Sequence, residues 1–166
     1  MDDSLNVYDE PLIPCGTDPV TGYYRDGCCN TGAGDHGSHT VCVEVTQEFL
    51  EFSRSRGNDL MTPAPQFGFP GLSPGDNWCL CAARWLEARN NGRAPKVHLM
   101  RTHKRALEVV PLEMLKQHAA DCNGQSAGRR AEGVMAVGQG TGLIPSLEAE
   151  QLAIQCLAPH PAARPT

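Results

Sequence analysis

The plainest pattern in the chain lies between His39 and Val45. There HTVCVEV alternates so that Thr40, Cys42 and Glu44 fall on one side of an extended backbone and Val41, Val43 and Val45 on the other. A period of two with β-branched residues predicts a strand. The period then changes to that of a helix. Thr46 is a good N-cap, Gln47 and Glu48 suit the positive end of the helix dipole, Phe49, Leu50 and Phe52 begin an apolar stripe, and Gly57 supplies the stop. NWCLCAARWLEARNNG fits both periods. Trp78, Leu80 and Ala82 alternate, while Trp78, Ala82, Trp85, Leu86 and Arg89 make a helical stripe. We read a strand over 78–81, then a helix over 82–91 closed by Gly92. APKVHLM predicts a further strand over 96–100, Thr102 is placed to cap a short helix reaching Leu107, and Pro111 opens a helix over 112–119.

Between these elements the pattern lapses. Residues 6–33 read as loop: the stretch EPLIPCGTDPVTGYYRDG holds repeated Pro and Gly with only Tyr23 and Tyr24 as large apolar surface, so something other than a core must pin it. Residues 58–76 are also Pro- and Gly-rich, and Phe67, Phe69 and Leu72 are the expected anchors. After residue 120 no aromatic remains and Gly, Ala and Pro dominate. The chain is therefore expected to be one domain over 1–120 with a flexible extension over 121–166, in which Ser146 caps a short helix over 147–157 that docks on the body or on a partner.

Composition narrows the classes. A chain of 166 residues is one domain's worth, and 17 Gly with 13 Pro make it loop-rich. The net charge of −5 leaves no basic patch for a phosphate backbone; the densest cationic run, RTHKRAL, reads as the solvated face of a helix. Nucleic acid is not an expected partner. No window approaches the ~20 apolar residues of a membrane span, and MDDSLNVYDEPLIPC has neither the basic start nor the apolar run of a secretory signal. The expected location is cytoplasmic, in a reducing compartment where the eight cysteines are mostly thiols.

Chemistry concentrates in RDGCCNTGAGDHGSHTVC, residues 25–42. Metal-ligand candidates are Cys28, Cys29, His39, Cys42, Cys79 and Cys81, with zinc the ion that suits thiolate and imidazole, although no C-x-x-C pair is present. A nucleophilic or redox site needs a thiolate near a cation, an imidazole or a helix N-terminus. Cys28 or Cys29 fits that description best, with His39 as base and Asp35 or Asp26 to orient it. The plain alternative is burial: Cys42 between valines and Cys79 beside Trp78 are core-like, and the polar residues of the loop bond its own backbone. The glycines do not form a phosphate cradle, because the loop leads into a strand and lacks the lysine.

The blocks PCGTDPVTGYYRDGCCNTG, GSHTVCVEVTQEFLEFSRSRGNDL, FGFPGLSPGDNWCLCAARWLEA and THKRALEVVPLEMLKQHA occur in order from about Asn6 to Ala119. They resemble a bacterial family known as domain of unknown function 2237. The resemblance implies a small α+β domain, a two-layer sandwich of a short sheet with helices packed on one side, and no particular activity. His36 and Asn77 depart from the family's pattern. The expected function is therefore a loop site that binds a metal or a small molecule or works as a thiol. The alternative is a noncatalytic accessory or protein-interaction module whose cysteines are structural.

Overall fold

The structure is a computed structural model that describes residues 4–121. The extension and its expected helix over 147–157 lie outside the described residues. Three strands, β1 (Val41–Glu44), β2 (Asn77–Leu80) and β3 (Lys96–Val97), form an antiparallel sheet in the order β2-β1-β3. Three helices, α1 (Gln47–Ser55), α2 (Ala82–Asn90) and α3 (Leu112–Lys116), complete a small α+β fold.

The alternation of HTVCVEV decides how the sheet is dressed. Val41 pairs with Leu80 and Val43 with Trp78, and these four side chains join Phe49, Leu50, Trp85, Val97 and Leu115 in the main apolar core. That core carries the helices. Cys42, one residue out of phase, pairs directly with Cys79 and belongs to a separate buried group made of Cys15, Cys29, Cys42 and Cys79. The expectation of Cys42 and Cys79 as ordinary core residues is thus corrected. Both are buried, but on the side of the sheet that the N-terminal loop covers, because a strand sends neighbouring side chains to opposite faces.

Local signals account for most boundaries. Thr46 caps α1, its hydroxyl accepting the Phe49 N–H at 3.1 Å, and Gly57 follows the helix with a left-handed φ of 83°. Gly92 ends α2 in the same way with φ 69°. The third strand is shorter than expected. His98 N–H still reaches the Cys42 carbonyl at 2.9 Å, but the chain turns at once into a 3₁₀ turn over Leu99–Arg101. Thr102 does not cap the next turn. It is fully buried, accepting the Cys42 N–H at 3.2 Å and donating to the His98 carbonyl at 2.8 Å, while His103 caps the 3₁₀ turn Lys104–Glu108 by accepting the Arg105 N–H. Of the expected anchors, Phe69 and Leu72 are buried and Phe67 is 38% exposed.

Candidate functional site

The loop over residues 6–33 is pinned by sulfur. Cys15 bonds Cys42 and Cys29 bonds Cys79, with Cα atoms 5.8 and 5.2 Å apart, well inside the span a disulfide bridges. Both strand cysteines are thus tied across to the loop, closing sequence separations of 27 and 50 residues. The expectation of mostly thiols is overturned: Cys81 is disulfide-bonded too, and among the described residues Cys28 is the one free cysteine. The two bridges touch. The sulfurs of Cys15, Cys29 and Cys79 lie within 4.8 Å of one another, a buried cluster that could hold a metal ion. Cys15 was missed in the sequence. It fell on the family's pattern, in the block PCGTDPVTGYYRDGCCNTG, but was not among the site candidates.

A second arrangement forms where the loop enters β1. Asp35 and His39, four residues apart, are both 7% exposed. Asp35 Oδ1 meets His39 Nδ1 at 2.6 Å, while Asp35 Oδ2 accepts the His39 N–H at 2.8 Å and the Thr31 hydroxyl at 2.9 Å. Burial alone would raise the Asp35 carboxyl, but the bonds from the His39 ring, the His39 N–H and Thr31 outweigh it and hold the group below the usual carboxylate range. A carboxylate at Nδ1 sets the tautomer, so the proton sits on Nδ1 and Nε2 is left as the acceptor. The Tyr23 ring stacks on the imidazole with centroids 5.9 Å apart. Burial and the charge of Asp35 both raise the Tyr23 phenol.

Cys81 is the cysteine that meets this pair at Gly37. A methyl group added to Gly37 would sit 3.1 Å from Cys81 Sγ and 3.1 Å from His39 Cε1, so sulfur and imidazole border one small space that only glycine leaves open. Cys81 is also the N-cap of α2, and the Ala82 N–H bonds the Ser38 carbonyl at 3.0 Å, fastening the helix start to the loop. Ser38 holds a left-handed φ of 51° to make this junction.

The seven candidates therefore divide. Cys29, Cys42 and Cys79 meet in the sulfur cluster; Asp35, His39 and Cys81 meet at Gly37; Cys28 joins neither. Its thiol is raised by burial and by Asp26, which makes it a poor thiolate. Asp26 does not orient His39; its carboxylate accepts the Cys28 N–H at 2.9 Å and the Asn30 amide at 3.2 Å. His36 is exposed.

The sequence over most of this domain matches one family. The chain belongs to DUF2237. The family's model, described as an uncharacterized protein conserved in bacteria, matches residues 5–119. No curated protein matches the chain. The match of the DUF2237 domain takes in both disulfides and the Asp35–His39 pair, so both arrangements lie inside the family's domain. No helix of the described residues is long and apolar enough to cross a membrane.

Proposed function

We propose that the DUF2237 domain is a thiol protein whose reactive sulfur is Cys81, with His39 as its proton acceptor and Asp35 as the group that orients His39. The reaction is thiol–disulfide exchange with a small-molecule or protein disulfide. The observation that carries this reading is the approach of Cys81 Sγ and His39 Cε1 to one point over Gly37, with His39 Nδ1 already held by a buried carboxylate. Two general arguments support it. A thiol at a helix N-terminus beside an imidazole is the setting in which cysteine becomes nucleophilic, because the first-turn N–H groups have no helical carbonyl to bond and favour negative charge. In a cytoplasmic setting, the location expected from the sequence, disulfides are usually transient, catalytic or redox-sensing.

In the step itself, Cys81, first released from its own disulfide by exchange with an external thiol that takes its place on the partner sulfur, gives its proton to His39 Nε2. The sulfur attacks one sulfur of the substrate disulfide, so that a Cys81 Sγ–S bond forms as the substrate's S–S bond breaks. The departing thiolate takes the proton back from the imidazolium, which Asp35 has stabilised meanwhile. Atoms and charge balance: one thiol and one disulfide give one mixed disulfide and one thiol.

The test uses the full chain with Cys28→Ser, reduced and then mixed with an aromatic disulfide reagent, the labelled positions being mapped by mass spectrometry. Cys81 is expected to react first, His39→Ala to slow it about 100-fold, and Asp35→Asn to slow it less. The competing reading, a noncatalytic module with structural cysteines, draws on the complete burial of Cys81. It prevails if Cys81 reacts only on unfolding and at one rate with or without His39.

A further inference from the structure

The four buried cysteines on the other side of β1 carry a different possibility, independent of Cys81. Cys42 and Cys79 are directly opposed on β1 and β2, and each reaches one loop cysteine, Cys15 or Cys29. The sulfurs of Cys15, Cys29 and Cys79 belong to two different bridges and still lie within 4.8 Å of one another. Tetrahedral zinc with Zn–S bonds of about 2.3 Å requires sulfurs about 3.8 Å apart. These three sulfurs are thus close to the spacing of a metal-thiolate centre, and Cys42, bonded to Cys15, supplies the fourth. All four residues are at most 2% exposed. That burial suits a closed site with four protein ligands and no water.

We propose that the four cysteines have a second state: reduced, they bind one soft divalent ion of the zinc class as a tetrathiolate, and the metal then holds the N-terminal loop to the sheet in place of the two disulfides. Two equivalents of a dithiol reductant supply the electrons. Each becomes a disulfide as it opens one protein bridge, giving four protein thiols in all. Metal binding expels their four protons, leaving one divalent cation among four thiolates with a net charge of −2. A cation already stands beside this charge, since Arg101 Nη1 donates to the Cys15 carbonyl at 3.3 Å. The backbone is also braced against rearrangement. Cys15 N–H bonds the Gly27 carbonyl at 2.7 Å, Cys79 N–H the Thr21 hydroxyl at 2.8 Å and Cys42 N–H the Thr102 hydroxyl at 3.2 Å. The ligands come from two loop positions and two strands, with no C-x-x-C, so spacing in the sequence could not announce them.

Cobalt(II) is the probe, because its colour reports its ligands. The full chain, carrying Cys28→Ser and Cys81→Ser and reduced anaerobically with a phosphine, is expected to take up one cobalt per chain. The signature is thiolate-to-cobalt charge-transfer absorption with the intense visible bands of a tetrahedral site, and zinc should displace it. The oxidised chain should show none of this. Cys15→Ser and, separately, Cys79→Ser should each weaken binding at least 10-fold, the lower end of what a disturbed metal site loses. If reduction unfolds the chain and cobalt refolds it with the same bands, the site is supported as well, since binding and folding are coupled in such centres. The proposal is overturned if the reduced chain gives no stoichiometric tetrathiolate spectrum, if the oxidised chain gives it equally, or if Cys15→Ser binds unchanged. None of these outcomes bears on labelling at Cys81, so this site and the thiol-exchange site can fail separately.

Discussion

Val43 and Cys42 are neighbours on β1 and belong to different interiors. Val43 faces Trp78 across the sheet and joins an apolar core that α1, α2 and α3 cover. Cys42 faces Cys79 and joins a group of four sulfurs to which the N-terminal loop contributes Cys15 and Cys29. The first interior is held by area removed from water, a force that tolerates substitution by any apolar side chain of similar volume. The second is held by covalent bonds between distant segments, because a loop with Cys15, Cys29 and little else that is large and apolar cannot bury enough surface to order itself. One strand thus joins two means of stability. The chemistry gathers on the side where packing is weaker and the backbone is fixed by bridges and polar clamps.

The largest effect should come from the apolar side. Trp85 is fully buried and its indole N–H donates to the Pro95 carbonyl at 3.2 Å. Trp85→Ala should cost about 4 kcal/mol in urea unfolding, while mass mapping still finds Cys15 joined to Cys42 and Cys29 to Cys79. Somewhat smaller is the loss of one bridge. Replacing Cys29 and Cys79 together by alanine removes a closure across 50 residues and should cost about 3 kcal/mol. The more telling readout is where amide protection falls. Exchange should quicken through residues 16–28, while Leu50 and Val43 stay protected. Equal loosening of α1 would mean that the two interiors are one cooperative unit and that the contrast drawn between them fails.

How much of this was legible beforehand follows the same division. The period of HTVCVEV announced β1 and both of its faces, and Thr46 and Gly57 announced the ends of α1, because those signals act within a few residues of where they stand. The strand over 96–100 was overextended, since only Lys96 and Val97 pair in register with β1, and after one more bond from the His98 N–H the chain turns. Thr102 looked like a helix cap and became a buried brace for Cys42, a bond 60 residues long that no local rule contains. The site was half readable. Asp35 and His39 are four residues apart and pair locally. Nearness in sequence favoured Cys28 and Cys29 as their companions, whereas the β1–β2 pairing and the docking of Ala82 on Ser38 set Cys81 beside them at Gly37.

The gentlest probe of the polar clamp is acid, which removes the charge of Asp35 and leaves its side chain in place. Asp35→Asn should cost about 2 kcal/mol at neutral pH, the scale of hydrogen bonds to a charged group. The pH dependence fixes the sign. The carboxyl's ordinary value is 3.8 and folding lowers it, so its contribution is complete above that ordinary value and is lost as pH falls through the lower folded one. Wild type should therefore lose stability on acidification faster than Asp35→Asn, and the gap between their urea midpoints should close. The difference between the two proteins is what must be followed. Asp59, also held low by Thr62, the Met61 N–H and Arg54 after burial is offset, contributes an acid loss of its own to both. A gap that persists unchanged into strong acid would mean that the shape of the side chain, and not its charge, holds His39. His39 would then be a packed residue on the cysteine side, with no proton acceptor's role to play at Cys81.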